Sequence, residues 1–120
     1  MKWPCVITQP LPDKLVQELI SFGLTENEAK TYLALLQLKQ ATAHVVAKLS
    51  NIPRQEIYRI LPQLEKLGLV EVVITKPAQF IPIEPQKALA ELIENQKETY
   101  SQQIAQLEAK KTTLENELTK

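Results

Sequence analysis

Cysteine, histidine and glycine are scarce in this chain of 120 residues, and its charges cancel. Cys5 is the only cysteine and His44 the only histidine, which excludes an internal disulfide framework and any zinc site built from Cys and His. No Asp/Glu cluster has a spacing suited to a metal, so neither metal nor cofactor is expected. A lone thiol near a terminus is ordinarily a tolerated residue, and a cross-subunit disulfide through Cys5 is the lesser alternative. No apolar run reaches the 18 or so residues that a membrane-spanning helix needs. Met1 to Ile7 has one lysine and no continuous apolar stretch, and Pro10 and Pro12 follow, so the start does not read as a signal peptide. A cytoplasmic location is the default expectation. Catalysis finds no footing either. There is no histidine–nucleophile–acid set, no glycine-rich phosphate loop and no pair of carboxylates in a plausible pocket, so the chain is not expected to be an enzyme.

What is present is the composition of an ordinary globular protein, 44% hydrophobic and 23% charged, with a length that suits one modest core. Lys and Arg total 14 and so do Asp and Glu, a balance that counts mildly against nucleic acid as a partner. The distribution softens that objection. Between Ala41 and Val70 the basic residues are Lys48, Arg54, Arg59 and Lys66, against Glu56 and Glu65 alone, whereas the stretch from Glu84 onward is net acidic.

Residues 1–12 are punctuated by proline and read as an extended arm that Trp3 could pin to the body or to a partner. Asp13 is a good N-cap for a helix to about Phe22, with Leu15, Leu19 and Phe22 on one face. Gly23 fits the left-handed residue that closes it. Thr25 with Glu28 forms a capping box for a second helix, whose stripe is Ala29, Tyr32, Leu33 and Leu36. Thr42 caps a short third helix that directs Val45, Val46 and Leu49 inward. Ser50-Asn51-Ile52 is a turn, and Pro53 opens a fourth helix that buries Ile57, Ile60 or Leu61, Leu64 and Leu67 before Gly68 ends it. Leu69 to Thr75 and Gln79 to Ile83 read as two strands joined by a turn at Lys76-Pro77-Ala78. The order is that of a winged helix-turn-helix. The fold class is therefore mainly α, within α+β, with a DNA-binding domain over 13–84 and a long C-terminal dimerisation helix over 85–120.

That last helix opens at Pro85 and runs to about Leu118. Its stripe is Leu89, Ile93, Gln96, Tyr100, Ile104, Leu107, Lys111, Leu114 and Leu118, with a mean step of roughly 3.6 residues, that of a nearly straight helix. About 33 helical residues extend roughly 50 Å, so the far half has no part of its own chain to pack on. The simplest partner is the same helix of a second subunit, and the alternative is a tail frayed from about Tyr100 on.

With its apolar stripe buried, the fourth helix presents Arg54, Gln55, Tyr58, Arg59, Pro62 and Gln63. Residues in the first turns of a recognition helix reach base edges in the major groove. Arg54 suits guanine and Gln55 adenine. Arg59 would meet phosphate or a second base, and Tyr58 a phosphate or a thymine methyl. Lys76 at the wing tip is placed for a minor-groove phosphate, and Thr42 and Ser50 for the backbone. Each also has a plain structural reading. Arg59 could pair with Glu56 or Gln63, Arg54 could remain in water, and Thr42 is first a cap. His44 is exposed by its phase and reads as an ordinary surface residue. Pro62 removes a backbone donor from within the helix and should bend it there.

The residues also resemble a known family. Phe22-Gly23-Leu24-Thr25, Glu28-Ala29-Lys30 and Tyr32-Leu33-Ala34-Leu35-Leu36 are similar to the N-terminal domain of the TrmB family of sugar-responsive transcriptional regulators. The match continues through Ala41-Thr42-Ala43, Ala47, Leu49-Ser50, Ile52-Pro53-Arg54, Ile57-Tyr58, Leu64-Glu65-Lys66 and Leu67-Gly68-Leu69-Val70. Pro77 with Phe80, and Pro85 with Ala88-Leu89, extend it to about residue 95. The resemblance implies a winged-helix domain that binds operator DNA as a dimer. It has departures. The chain stops after the long helix, so no sugar-binding effector domain and no small-molecule ligand is expected. The wing is poor in Lys and Arg, Asn51 stands where glycine is usual, and Pro62 lies outside the pattern.

The leading expectation is a homodimeric, sequence-specific transcriptional regulator on a palindromic operator in double-stranded DNA. Its recognition helix would span about 53–67 and its wing about 70–83, and Leu89, Ile93, Tyr100, Ile104, Leu107, Leu114 and Leu118 would carry dimerisation as a coiled-coil seam. The alternative is a winged-helix adaptor that binds protein rather than DNA.

Overall fold

A helix with small and branched apolar residues on nearly every side can only be stable inside other elements, and the second helix of this chain is such a case. In the computed structural model, which describes residues 12–120, the order is α1 (Asp13–Ser21), α2 (Glu26–Leu38), β1 (Ala41–Thr42), α3 (Ala43–Ser50), α4 (Arg54–Leu67), β2 (Val70–Val73), β3 (Gln79–Pro82) and α5 (Pro85–Leu118). Helix α2 touches α1, α3, α4 and β3. It buries Ala29, Thr31, Tyr32, Leu33, Ala34 and Leu35, more than the single stripe expected from the sequence. Thr31 is tolerated there because its hydroxyl donates to the carbonyl of Asn27 at 2.8 Å. The capping box forms as expected: Glu28 N–H donates to Thr25 Oγ1 at 3.1 Å, and Thr25 N–H to Glu28 Oε1 at 2.9 Å.

Both glycines lie just past helices with positive φ, Gly23 at 104° and Gly68 at 84°. The expected ends of other elements shift by a residue or so. Pro12, not Asp13, is the N-cap of α1, and Asp13 sits in the first turn, where a carboxylate favours the helix dipole. Pro53 is the N-cap of α4 rather than its first residue. Thr42 occupies the cap position of α3 but makes no side-chain capping bond. Val45 is 40% exposed rather than inward, and the buried face of α3 is Ala43, Val46 and Ser50. The proposed arm and the readings of Trp3 and Cys5 fall almost wholly on residues 1–11, outside the described residues.

The sheet has the order β1-β3-β2 and is antiparallel throughout. The β2–β3 hairpin is the wing, shorter at its ends than the sequence reading and joined by the loop 74–78. Strand β1 has only two residues and pairs Ala41 with Phe80 and Thr42 with Gln79, which fastens the start of α3 to the wing.

Tyr32 ties the helical body to the end of the wing. Its hydroxyl donates to the carbonyl of Ile83 at 2.6 Å, and burial pushes the phenol up to about 12. An unfolded tyrosine titrates near pH 10, below the folded value, so this stabilisation is intact below about pH 10 and is lost as pH rises through 12. Tyr32→Phe keeps the ring but leaves the Ile83 carbonyl without this donor, and should cost about 1–2 kcal/mol by denaturant unfolding at neutral pH. The gap between wild type and variant should close between pH 10 and 12, because only the wild type has a phenol to titrate at this position.

Candidate nucleic-acid interface

Helix α4 is divided lengthwise. Ile57, Ile60, Leu61 and Leu64 are buried and Leu67 is half-buried, while Arg54, Gln55, Tyr58, Arg59, Pro62 and Gln63 are all exposed. The turn before it holds this face outward. Asn51 adopts the left-handed conformation at φ 58°, which a short polar side chain tolerates in place of glycine. Ile52 is buried, and its N–H closes on the Ala47 carbonyl at 3.3 Å. At the other end, Gly68 N–H reaches Glu65 O at 3.1 Å and Leu69 N–H reaches Leu64 O at 3.0 Å, which satisfies the last carbonyls of the helix. Pro62 is exposed within a helix that continues on both sides of it.

The predicted residues fall into four groups. Gln55 and Tyr58 stand in solvent with Arg54 and Arg59, Tyr58 being 59% exposed. Arg59 also pairs with Glu56 one turn before it, which was its plain structural reading. The two roles are compatible, since an exposed pair of this kind contributes only about 0.2–1 kcal/mol and yields readily to a phosphate. Lys76 is exposed on the loop 74–78 and has no ion-pair partner among the described residues. Thr42 is half-buried in β1. Ser50 does not belong with the rest: it is buried, and its hydroxyl donates to the carbonyl of Val46 at 2.7 Å, the back-bonding typical of serine in a helix.

Thr42, His44, Tyr58, Pro62, Pro77 and Phe80 line a cleft of about 370 Å³ between the start of α3, the outer face of α4 and the base of the wing. It brings Thr42 and Tyr58 together beside the wing loop. Three features escaped the sequence. His44 accepts a hydrogen bond at Nδ1 from Arg54 Nη2. Gln40 donates to Gln79 and closes the edge where β1 meets β3. Ile74, on the wing loop, is 94% exposed. Helical phase puts His44 on the surface, but nothing in the sequence aims its ring at Arg54.

Helix α5 presents two faces. Ala88 and Leu92 are buried against the body, and Asn95 reaches the Leu67 carbonyl at 3.5 Å. Gln96, placed in the seam by the sequence reading, lies half-buried with its side chain over Gly23 of its own chain. From Lys97 to Lys120 every residue is exposed. Ile93, Tyr100, Ile104, Leu107, Leu114 and Leu118 are all exposed, and at 100° per residue they fall within an arc of about 80°, roughly a quarter turn from the body-facing side. Leu89, at the near end of this stripe, joins Leu15, Leu19, Phe22, Leu33 and Leu36 around an apolar groove of about 370 Å³ between α1, α2 and α5. No helix among the described residues is long and apolar enough to cross a membrane.

Two helices joined by a tight turn, with an outward polar face on the second and a hairpin after it, define a winged helix-turn-helix. The sugar-specific transcriptional regulator TrmB family model matches residues 19–86, more than half of the chain, and the chain belongs to that family. It is 36% identical over 85 residues to the HTH-type sugar sensing transcriptional regulator TrmBL1 of Pyrococcus furiosus, a match covering 71% of this chain and 25% of that protein. It is 32% identical over 104 residues to the DNA-binding HTH-type transcriptional repressor TrmBL2 of Thermococcus kodakarensis, covering 86% of this chain and 38% of that one. Among solved structures, that of TrmBL2, described as an archaeal chromatin protein with a novel mode of DNA binding, superposes with a TM-score of 0.74 at 30% identity, over 86% of this chain and 42% of its own. A MarR family transcriptional regulator from Silicibacter pomeroyi shares the fold at a TM-score of 0.54 and 22% identity, covering 79% of this chain and 71% of that one. The chain thus spans between a quarter and two-fifths of the length of these curated relatives.

Proposed function

We propose that this chain is the DNA-binding unit of a TrmB-type regulator and works as a homodimer on a palindromic operator. The winged domain, residues 13–84, would place α4 in the major groove and the wing on the flanking backbone, and residues 85–120 would join the two copies. The supporting observation is the outer face of α4, where Arg54, Gln55, Tyr58 and Arg59 are exposed together while the opposite face is committed to the core. Arginine and glutamine near the start of such a helix match the donor and acceptor patterns of guanine and adenine edges. The exposed stripe of α5, continuous at Leu89 with the groove against α1 and α2, supports the dimer. Two such domains on a two-fold axis would read half-sites about one helical turn apart or a multiple of it.

Arg54→Ala and Arg59→Ala test the assignment. Each should weaken binding to a selected duplex about 5- to 150-fold in fluorescence anisotropy, the value of one good base or phosphate contact. Thermal stability should stay within about 0.5 kcal/mol of wild type, because both side chains lie off the core. Unchanged affinity in both variants would remove α4 from the interface.

A further inference from the structure

We propose that His44 positions the Arg54 guanidinium for reading a base, an inference that rests on the DNA-binding reading of α4. A guanidinium has five N–H donors and no acceptor, so the bond between Arg54 Nη2 and His44 Nδ1 requires Nδ1 to carry a lone pair. Arg54 and Arg59 are consequently held in different ways. Arg59 pairs with the carboxylate of Glu56 on the exposed face of its own helix. Arg54 meets an imidazole nitrogen on another helix instead of a carboxylate, and has four N–H groups left to give.

Orientation is what this bond supplies. Bidentate pairing with guanine requires two guanidinium N–H groups in one plane and one direction. A long side chain at the first position of an exposed helix would otherwise spread over many rotamers, and fixing it on binding would cost affinity for the correct base. His44 lies in the first turn of α3, on a separate element from Arg54, and both side chains are exposed. The turn at Asn51 and the pairing of β1 with β3 fix where α3 begins relative to α4, so the acceptor is built into the fold rather than into a mobile loop.

The test is selection of binding sites from a random duplex pool with the full chain as wild type, His44→Ala and His44→Gln, followed by affinities for the selected site and for random duplex. Glutamine offers an oxygen acceptor on a chain of similar reach. For wild type the expected result is a defined site. For His44→Ala the preference at one base pair of each half-site should be lost, with the ratio of specific to random affinity falling about 10-fold. The loss on the selected site should exceed any loss on random duplex, and His44→Gln should recover most of the ratio. An unchanged ratio in His44→Ala overturns the proposal. So does an equal loss on both duplexes with the salt slope reduced by about one, which would make His44 a phosphate contact in its own right. If wild type binds no duplex, the underlying DNA reading fails as well, and that failure is distinguished by showing in the wild type rather than in the variant.

Discussion

A chain cut after Lys97 is expected to fold as a winged domain, sediment as a monomer and bind a palindromic duplex roughly 10²- to 10⁴-fold more weakly than the full chain. The position of the cut follows from the two faces of α5. Ala88, Leu92, Asn95 and Gln96 all touch the chain's own body and are retained. Everything beyond Lys97 is exposed, including Tyr100, Ile104, Leu107, Leu114 and Leu118 on one stripe. A helix of 34 residues extends about 51 Å, and an isolated surface helix gains little from propensity alone; its stability comes from covering an apolar face. The ion pairs along it, such as Lys111–Glu115 at 2.6 Å, are exposed and contribute little. The second copy is therefore expected to supply both the cover and the second half-site. The size of the loss in affinity is that of turning one bivalent binding event into two independent ones. A truncated chain that still sediments as a dimer would assign the seam to the groove formed by α1 and α2 instead.

Leu64→Ala is expected to remove about 2–5 kcal/mol of stability and to lower Tm by roughly 10–25 °C. Leu64 is fully buried on the inner face of α4, one turn from Leu61 and close to where Gly68 turns the chain into β2. Truncating it leaves a cavity between α4 and the core, in a domain whose whole stability is of the order of 5–15 kcal/mol. The contrast lies within the same helix. Arg59→Ala, five residues earlier on the outer face, should reduce DNA affinity and leave Tm nearly unchanged. If Leu64→Ala melted like wild type, the division of α4 into a core face and a reading face would be wrong.

Much of this architecture could be read from a few residues. Gly23 and Gly68 mark helix ends because left-handed backbone excludes most side chains, and Thr25 with Glu28 marks a helix start because the two side chains cap each other's backbone. The buried face of α4 followed from periodicity, since its apolar residues repeat at three and four. Periodicity failed where the element was short or apolar on several sides. Helix α3 has valine at both 45 and 46, and packing against α2 and α4, not sequence phase, decided that Val46 faces in and Val45 out. Strand β1 has two residues, too few to alternate, and exists only because Phe80 and Gln79 are there to pair with it.

Among the site residues, exposure was legible and partnership was not. Arg54, Gln55, Tyr58 and Arg59 were correctly placed outward by phase. Ser50 is buried instead, because its hydroxyl has a nearer acceptor in its own helix. The pairing of His44 with Arg54 has no sequence signal, because an interaction between elements depends on the angle of the turn, which no local pattern encodes. Gln96 fits the seam by phase, yet Gly23, with no side chain of its own, leaves room for it against the body.

Whether this domain meets the phosphate backbone of DNA is read most directly from the effect of salt. The measurement is fluorescence anisotropy of the full chain on random-sequence duplex across roughly 50 to 200 mM salt. Contact through Arg54, Arg59 and Lys76 from two copies predicts that the logarithm of affinity falls linearly with the logarithm of salt concentration, with a slope of several. No binding at the lowest salt, or binding indifferent to salt, would rule out backbone contact and make the winged domain a surface for another protein.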